Sequence, residues 1–368
     1  MKKLVLGKIK DVFHIERQGS LIPMIENVKK LLSVVSDKLG DSARTRILKG
    51  AFNTGSYPSI PGLLEEHNEV FLSLKTASAD MKGIFTGMGF WLGGVFIFVF
   101  LLIVLSGDFS NNDWWVLFVA VLTIVVPFLW ETRRPSFLPV IFNRRTQEIY
   151  YDLNGQLYHA TWDGIEAAAY EYTMMNQNTG AIPHGNLEII LQKFGEPEKR
   201  IVLNLSGVPA GKRLSTLVSM WEYLRRFMTV GPWFDEAGRQ ADRKNDFIEN
   251  TLKAGRESRL DQVRSDRLYL AHERKEGNGI SGTAVFLWVG SYIFFPMAYG
   301  EECVQRADRK KARKQWPKIV RERLEPNGPT TRLIDIEESY LAQKKQEELQ
   351  KQKELEELHE RMRRTLPR

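Results

Sequence analysis

The side chains that could perform chemistry are dispersed, without the spacing that a catalytic or metal site requires. None of the six histidines belongs to an HExxH motif or to an i, i+4 pair, the arrangements that hold zinc on a helix. The single cysteine, Cys303, follows two glutamates, whose charge disfavours a reactive thiolate. The segment GVPAGKRLS, residues 207–215, has three residues between its glycines, one fewer than a phosphate-binding loop. We therefore predict no catalytic, cofactor-binding or metal-binding residues, and no enzymatic activity.

Length and charge set the range of partners. The chain has 368 residues, which by length allows roughly two or three modules. Its single cysteine excludes an intramolecular disulfide. A net charge of +7 permits anionic lipid, nucleic acid or an acidic protein as partner. Because the densest basic patch adjoins an apolar block, we predict a bilayer with anionic headgroups as a partner and no nucleic acid.

Two uncharged runs predict a transmembrane helical hairpin over residues 84–130. The first, Ile84 to Ser106, has 23 residues and would form a helix of roughly 34 Å. The second, Trp114 to Trp130, has 17 residues, near the lower limit for crossing a bilayer. Buried helices of a soluble protein normally carry a polar stripe, which neither run has. Lysine and arginine flank the hairpin and are missing from its turn, so the positive-inside rule predicts that both termini are cytoplasmic.

The first run carries glycines at small-xxx-small spacing, which lets backbones approach closely in a membrane. We predict that five of them pack the membrane helices: Gly83, Gly87, Gly89, Gly93 and Gly94. They could contact the second helix of the hairpin or a second copy of the chain, and the sequence does not decide between these.

The rest of the sequence predicts an α+β membrane protein. Residues 1–83 are interpreted as a helical N-terminal cap, with Leu63 to Leu74 as its second amphipathic segment. In residues 135–230, six segments rich in aromatic and β-branched residues precede one amphipathic helix. Asn154 and Gly155 form the dipeptide of a tight β-hairpin turn. This order resembles the outline of a pleckstrin-homology-like (PH-like) antiparallel barrel closed by a C-terminal helix, an analogy that implies no ligand.

The last third is predicted to be helical and charged. Residues 231–279 are interpreted as a solvated helical connector, and residues 301–368 as a basic and charged helical tail. Between them, residues 280–300 form an apolar segment that Gly290 and Pro296 interrupt. A span there would place the following basic residues outside, so we favour an interfacial or re-entrant segment, the alternative being burial against the barrel. Six basic side chains are predicted to bind lipid headgroups: Arg306, Arg309, Lys310, Lys311, Arg313 and Lys314.

One stretch resembles a known family. FNRRTQEIYY, followed by the pair Trp162 and Asp163, is similar to an uncharacterised family of Gram-negative inner-membrane proteins often encoded beside type VI secretion effectors and Rhs or VgrG components. The resemblance covers about residues 84 to 320; the tail after Pro326 departs from it. It implies location in the bacterial inner membrane and association with an antibacterial toxin system, as an immunity or effector-handling protein. The family has no catalytic residues to carry over.

The sequence therefore predicts a non-enzymatic inner-membrane binding protein of a toxin or secretion system. A lipid-binding membrane scaffold is the alternative. The predicted turn between the membrane helices has about seven residues, too few for a standard protein interface, so a partner toxin would be met in the bilayer or in the cytoplasm. The partner protein and the oligomeric state stay open.

Overall fold

The computed structural model describes Ser33 and residues 44–107, 110–176, 180–243, 245–275 and 282–365. The first part of the predicted helical cap, residues 1–43 apart from Ser33, lies outside the described residues. So does the tail beyond residue 365.

Nine antiparallel strands form one curled, half-barrel sheet. Along the sheet the order is β1-β7-β8-β6-β5-β4-β3-β2, and β9 pairs with the other edge of β8. The strands are β1 (Arg44–Lys49), β2 (Leu64–His67), β3 (Phe71–Leu74), β4 (Val140–Asn143), β5 (Glu148–Leu153), β6 (Gln156–Thr161), β7 (Glu166–Asn176), β8 (Gly180–Lys193) and β9 (Glu196–Asn204). The six strands predicted after the hairpin are thus β4 to β9. Asn154 and Gly155 both have positive φ, at 54° and 80°, which confirms the predicted tight turn.

The predicted helical segment 1–83 is wrong between residues 44 and 74, where the chain supplies three strands. Leu72 and Leu74 alternate with Ser73 across β3, which puts both leucines in the main core. The side chain of Asn68 accepts hydrogen bonds from the backbone N–H groups of Val70 and Phe71, at 2.8 Å each. This Asx turn reverses the chain between β2 and β3.

The apolar hairpin forms the connection between two neighbouring strands of the sheet. It consists of α2 (Ile84–Ser106) and α3 (Trp114–Arg133), preceded by a short helix, α1 (Ala77–Asp80). The strands on either side, β3 and β4, are direct neighbours, with Leu74 opposite Val140. Both helices are long and apolar enough to cross a membrane. The second ends three residues beyond the predicted Trp130.

The main core lies between one face of the sheet and α4 (Leu214–Arg225), which a single π-helical turn (Arg226–Val230) prolongs. The predicted apolar face of this helix points inward: Leu217, Trp221 and Leu224 are fully buried. Trp162 stacks on Trp221 with ring centroids 5.2 Å apart. The sheet is open, and α4 covers its inner face.

The remaining helices are α5 (Asp246–Arg256), α6 (Arg259–Lys275), α7 (Gly282–Ile293), α8 (Phe295–Gln315), α9 (Lys318–Leu324) and α10 (Leu333–Thr365). The predicted solvated connector 231–279 is wrong in part, because Phe234 and Ile248 are buried in the main core. Helix α5 packs directly on β2: a methyl group on Gly255 would lie 1.8 Å from the carbonyl oxygen of Leu64.

The apolar segment 280–300 is not one continuous helix. It breaks at Phe294, between α7 and α8, where Pro296 stands in the first turn of α8. Proline removes a backbone donor and is accepted there without loss. The side chains of Phe286, Tyr292 and Phe294 are each more than half exposed. The segment is therefore an exposed apolar corner rather than a strand or helix buried in the sheet.

Candidate functional site

A buried carboxylate joins the two helices of the hairpin at its base. Glu131, near the end of α3, accepts hydrogen bonds from the backbone N–H groups of Gly83 (3.1 Å) and Thr86 (2.9 Å), and from the Thr86 hydroxyl (2.5 Å). The first N–H groups of a helix have no partner within it, and an acceptor there also meets the positive end of the helix dipole. Glu131 thus caps α2 from the neighbouring helix.

Helix α8 completes this base. The backbone of Glu301 lies against Gly83, and its carboxylate forms an ion pair with Arg259 at 2.8 Å. Burial raises the pKa of Glu301, and the Arg259 charge opposes the rise. On the other side, buried Lys82 forms an ion pair with Asp308 and donates to the carbonyl oxygen of Pro135 at 3.2 Å. Segments before, within and after the hairpin are thereby fixed to one another.

Next to this base is a cleft of about 820 Å³. Its floor is the outer face of β3 and β4, and one wall is the junction of α5 and α6. The opposite wall is α8 and α9, and the chain that leads into and out of the hairpin lines the end. The lining includes Phe71, Ser73 and Ile141 on the floor, Arg256 and Arg259 on the first wall, Arg309, Lys310, Trp316 and Arg321 on the second, and Lys75, Lys82 and Phe137 at the end.

The cleft is basic and partly apolar. Seven lysine and arginine side chains line it, against four acidic ones: Glu65, Glu66, Glu257 and Asp308. Three of the basic groups have protein partners: Lys82 and Arg259 as above, and Arg256, which donates to the carbonyl oxygen of Glu65 at 2.9 Å. Within the described part of the chain, no ion pair joins a carboxylate to any of the other four, which are Lys75, Arg309, Lys310 and Arg321. The cleft can therefore bind an anion.

The six predicted headgroup residues separate into groups. Arg309 and Lys310 line the cleft. Arg306 forms an ion pair with Glu302 at 2.7 Å, and Lys311 donates to the carbonyl oxygen of Thr132 at the end of α3. The side chains of Arg313 and Lys314 lie outside the described residues. The structure adds cleft residues that the prediction omitted, foremost Lys75, Arg256 and Arg321.

The five predicted packing glycines face three environments. A methyl group on Gly89 would lie 2.4 Å from the carbonyl oxygen of Thr123 in α3, and one on Gly93 would lie 2.5 Å from the Ile124 side chain. A methyl group on Gly87 would lie 2.7 Å from the carbonyl oxygen of Met297 in α8, and one on Gly83 would lie against the backbone of Glu301. A methyl group on Gly94 has nothing within 4 Å among the described residues. Four of the five glycines thus serve the hairpin or its contact with α8, and Gly94 serves neither.

Alanine at Gly89 should separate the two hairpin helices, because the added methyl group meets backbone that cannot rotate away. We expect a loss of about 1–3 kcal/mol and a lower Tm in detergent by differential scanning fluorimetry. Gly94→Ala is the matched control, with no expected loss. A larger loss in Gly94→Ala than in Gly89→Ala would contradict hairpin packing and place Gly94 between two copies of the chain.

The stretch FNRRTQEIYY binds the C-terminal helices. Asn143 donates to the carbonyl oxygen of Arg323 at 3.0 Å, and the guanidinium of Arg145 donates to three carbonyl oxygens in the loop after α9, those of Glu325, Pro326 and Gly328. Beneath this loop, Leu333 and Trp316 pack with Ile141 and Tyr150 in a second apolar core on the outer face of the sheet. The stretch is therefore a docking surface within the chain.

A buried polar cluster, the clasp, holds the start of α10. Glu148 accepts from the backbone N–H groups of Leu333 and Ile334, at 2.9 and 3.1 Å. Glu337 accepts from His159 Nε2 (3.0 Å), from Gln192 (2.9 Å) and from the backbone N–H of Gly195 (2.6 Å). We define the clasp as Glu148, His159, Gln192, the Gly195 N–H and Glu337. Because Glu148 and Glu337 flank His159, the imidazole is a bridge between the sheet and α10.

Comparison with known proteins adds no relative: no family model, no curated protein and no solved structure matches this chain. Among the described residues, no group of three or more histidine, cysteine, aspartate or glutamate side chains is arranged to hold a metal ion. The groups that the cleft offers to a ligand are its cations and its hydrogen-bonding side chains.

Proposed function

We propose that the protein is an integral membrane binding protein, in which α2 and α3 cross the bilayer and the half-barrel sheet, PH-like in outline, lies on the cytoplasmic side. The exposed surface of the hairpin supports this proposal. Leu105, Phe98 and Trp115 are 81%, 61% and 63% exposed, and they belong to a long row of exposed apolar side chains. A soluble protein rarely leaves so large an apolar patch in water, whereas lipid accommodates it.

The ends of the hairpin fit the two surfaces of a bilayer. At the base, the guanidinium of Arg134 lies 3.5 Å from the centroid of the Trp130 ring, and the exposed side chains of Arg133 and Arg134 add positive charge. At the far end Trp114 and Trp115 are exposed, where interfacial indoles are favoured. The positive charge at the base supports a cytoplasmic position for the sheet and for both termini.

The single observation that favours a partner class is the basic cleft at the base of the hairpin. A cleft beside the points where α2 begins and α3 ends lies at the level of the lipid headgroups when these helices span. We therefore propose that the protein acts as a lipid-binding membrane scaffold and is not an enzyme. A role in a secretion or toxin system, as an immunity or effector-handling protein of the inner membrane, has the sequence resemblance as its support and remains a prediction.

Cysteine labelling tests the topology, because Cys303 is the single native cysteine. In a Cys303→Ser background, we expect Ser110→Cys, in the exposed turn of the hairpin, to react with a membrane-impermeant maleimide in intact spheroplasts. Glu338→Cys, exposed on α10, should react only after the spheroplasts are lysed. Equal labelling of both positions in intact spheroplasts would show that the hairpin does not cross the membrane, and the opposite pattern would invert the orientation.

A further inference from the structure

We propose that the basic cleft binds the phosphate group of an anionic amphiphile, and that this ligand is a membrane phospholipid. The inference deepens the proposed function and rests on it, because the bilayer supplies the ligand only if the hairpin is in the membrane. The cleft would recognise the anionic oxygens of a phosphate group. A free phosphate compound carries the same oxygens and could therefore also bind.

The first support is the charge of the cleft walls. Arg309 and Lys310 on α8 face the cleft together with Arg321 on α9 and Lys75 ahead of α1. As described above, these four cations have no ion-pair partner among the described residues, whereas the other three basic groups of the cleft are held by protein acceptors. Cations of like sign converge on one cavity at a cost that a bound anion removes. Arginine adds a planar fork of donors that suits phosphate oxygens.

The second support is independent of charge. The hydroxyl of Ser73, on the floor of the cleft, has no hydrogen-bond partner in the described structure, although the residue is 2% exposed. Ser73 lies on β3 between Leu72 and Leu74, which face the main core, so its side chain is on the opposite, cleft-facing side. A buried hydroxyl without a partner is costly. A ligand oxygen in the cleft would accept from it.

The third support is the apolar part of the lining. Phe71, Phe137, Ile141 and Trp316 line the same cavity as the cations. Phe137 lies four residues after Arg133, the last residue of α3, so this apolar part of the lining is close to the end of the hairpin. Inorganic phosphate has no apolar atoms to contact these side chains, whereas a phospholipid places its glycerol and first methylene groups against them. The lining thus favours a lipid over a free phosphate.

Thermal shift with short-chain lipids tests the proposal on the detergent-solubilised full chain. The probes are didecanoyl phosphatidylglycerol, didecanoyl phosphatidylcholine and inorganic phosphate, each titrated at low salt. We expect phosphatidylglycerol to raise the Tm at the lowest concentration. In the Arg309→Gln/Lys310→Gln variant its apparent affinity should fall by roughly 10- to 30-fold, the loss expected for two headgroup-facing charges. Ser73→Ala should also weaken it, by about 3-fold or more.

Lys318→Gln is the matched control, since Lys318 is an exposed cation on α9 that does not line the cleft. Phosphate that protects as well as phosphatidylglycerol, with the same dependence on Arg309 and Lys310, would keep the anion site and overturn the lipid as its ligand. Equal effects of the two lipids, or equal affinities of the double variant and Lys318→Gln, would overturn the cleft as an anion site. Either result leaves the labelling pattern of Ser110→Cys and Glu338→Cys unchanged, so failure of the site is distinct from failure of the membrane topology.

Discussion

Glu337→Ala should release the start of α10 from the sheet, while Glu338→Ala should leave it in place. The first substitution removes the acceptor of three hydrogen bonds and leaves buried His159 and half-buried Gln192 without it. Leaving a buried donor without its acceptor costs about 1–3 kcal/mol. Glu338, next to it on the same helix, is exposed, so its loss should cost under about 0.5 kcal/mol.

Hydrogen exchange measures this difference locally. In Glu337→Ala, the backbone amides of Leu333 and Ile334 should lose protection together, because they donate to Glu148 in the same cluster. Trypsin should also cut after Arg332 sooner than in the wild-type chain. A peptide bond beside a folded helix must open locally before a protease can cleave it, and the loss of Glu337 makes this opening easier. Equal protection in both variants would show that the apolar contacts of Leu333, rather than the clasp, hold the helix.

Acid should destabilise the half-barrel through His67. This side chain is packed among Tyr223, Phe227, Trp233 and Phe234, with Nε2 facing the carbonyl oxygen of Pro232. Burial lowers the pKa of His67 from 6.5 to about 4, partly opposed by that hydrogen bond. Between these two pH values His67 is mostly protonated in the unfolded chain and mostly neutral in the folded chain. Stability is therefore full above pH 6.5 and falls by about 3 kcal/mol as the pH decreases to 4.

His67→Gln removes the titrating group and keeps a donor for Pro232. In the wild-type protein we expect the Tm to drop by roughly 5–10 °C between pH 7 and pH 4.5 through this group, and the variant should lose most of that drop. The Tm of the variant at pH 7 is the control for the substitution itself, because His67 of the wild-type protein is neutral at that pH. An unchanged drop in the variant would assign the acid sensitivity to other groups.

The sequence predicted those parts of the fold whose signal is local. The uncharged runs that became α2 and α3, the turn at Asn154 and Gly155, and the inward face of α4 each lie within about 20 contiguous residues. Strands β1 to β3 were missed because their partners are distant: Leu74 pairs with Val140 and Arg44 with Glu171. Four-residue strands carry too little alternation to be distinguished from a helical pattern.

Two of the cleft's seven cations were among the residues predicted to bind headgroups, and the other five were missed. Arg309 and Lys310 belong to a visible basic run, but nothing local in the sequence indicates that Ser73 would meet them. Glu131 was a usable signal: an acid directly after an apolar run needs a partner if the helix is in lipid. The clasp joins Glu148 to Leu333 across 185 residues, a distance at which a single sequence offers no pairing information.

The insertion of the hairpin between β3 and β4 imposes an order on biogenesis. Ribosomes deliver β1 to β3 first, and β2 can pair with β3 at once. The second neighbour of β3, β4, follows only after the intervening residues 75–139 have emerged, which takes about 3–13 s at common translation rates. In the proposed topology, insertion of α2 and α3 therefore precedes closure of the sheet, and until then β3 lacks β4 and β1 lacks β7.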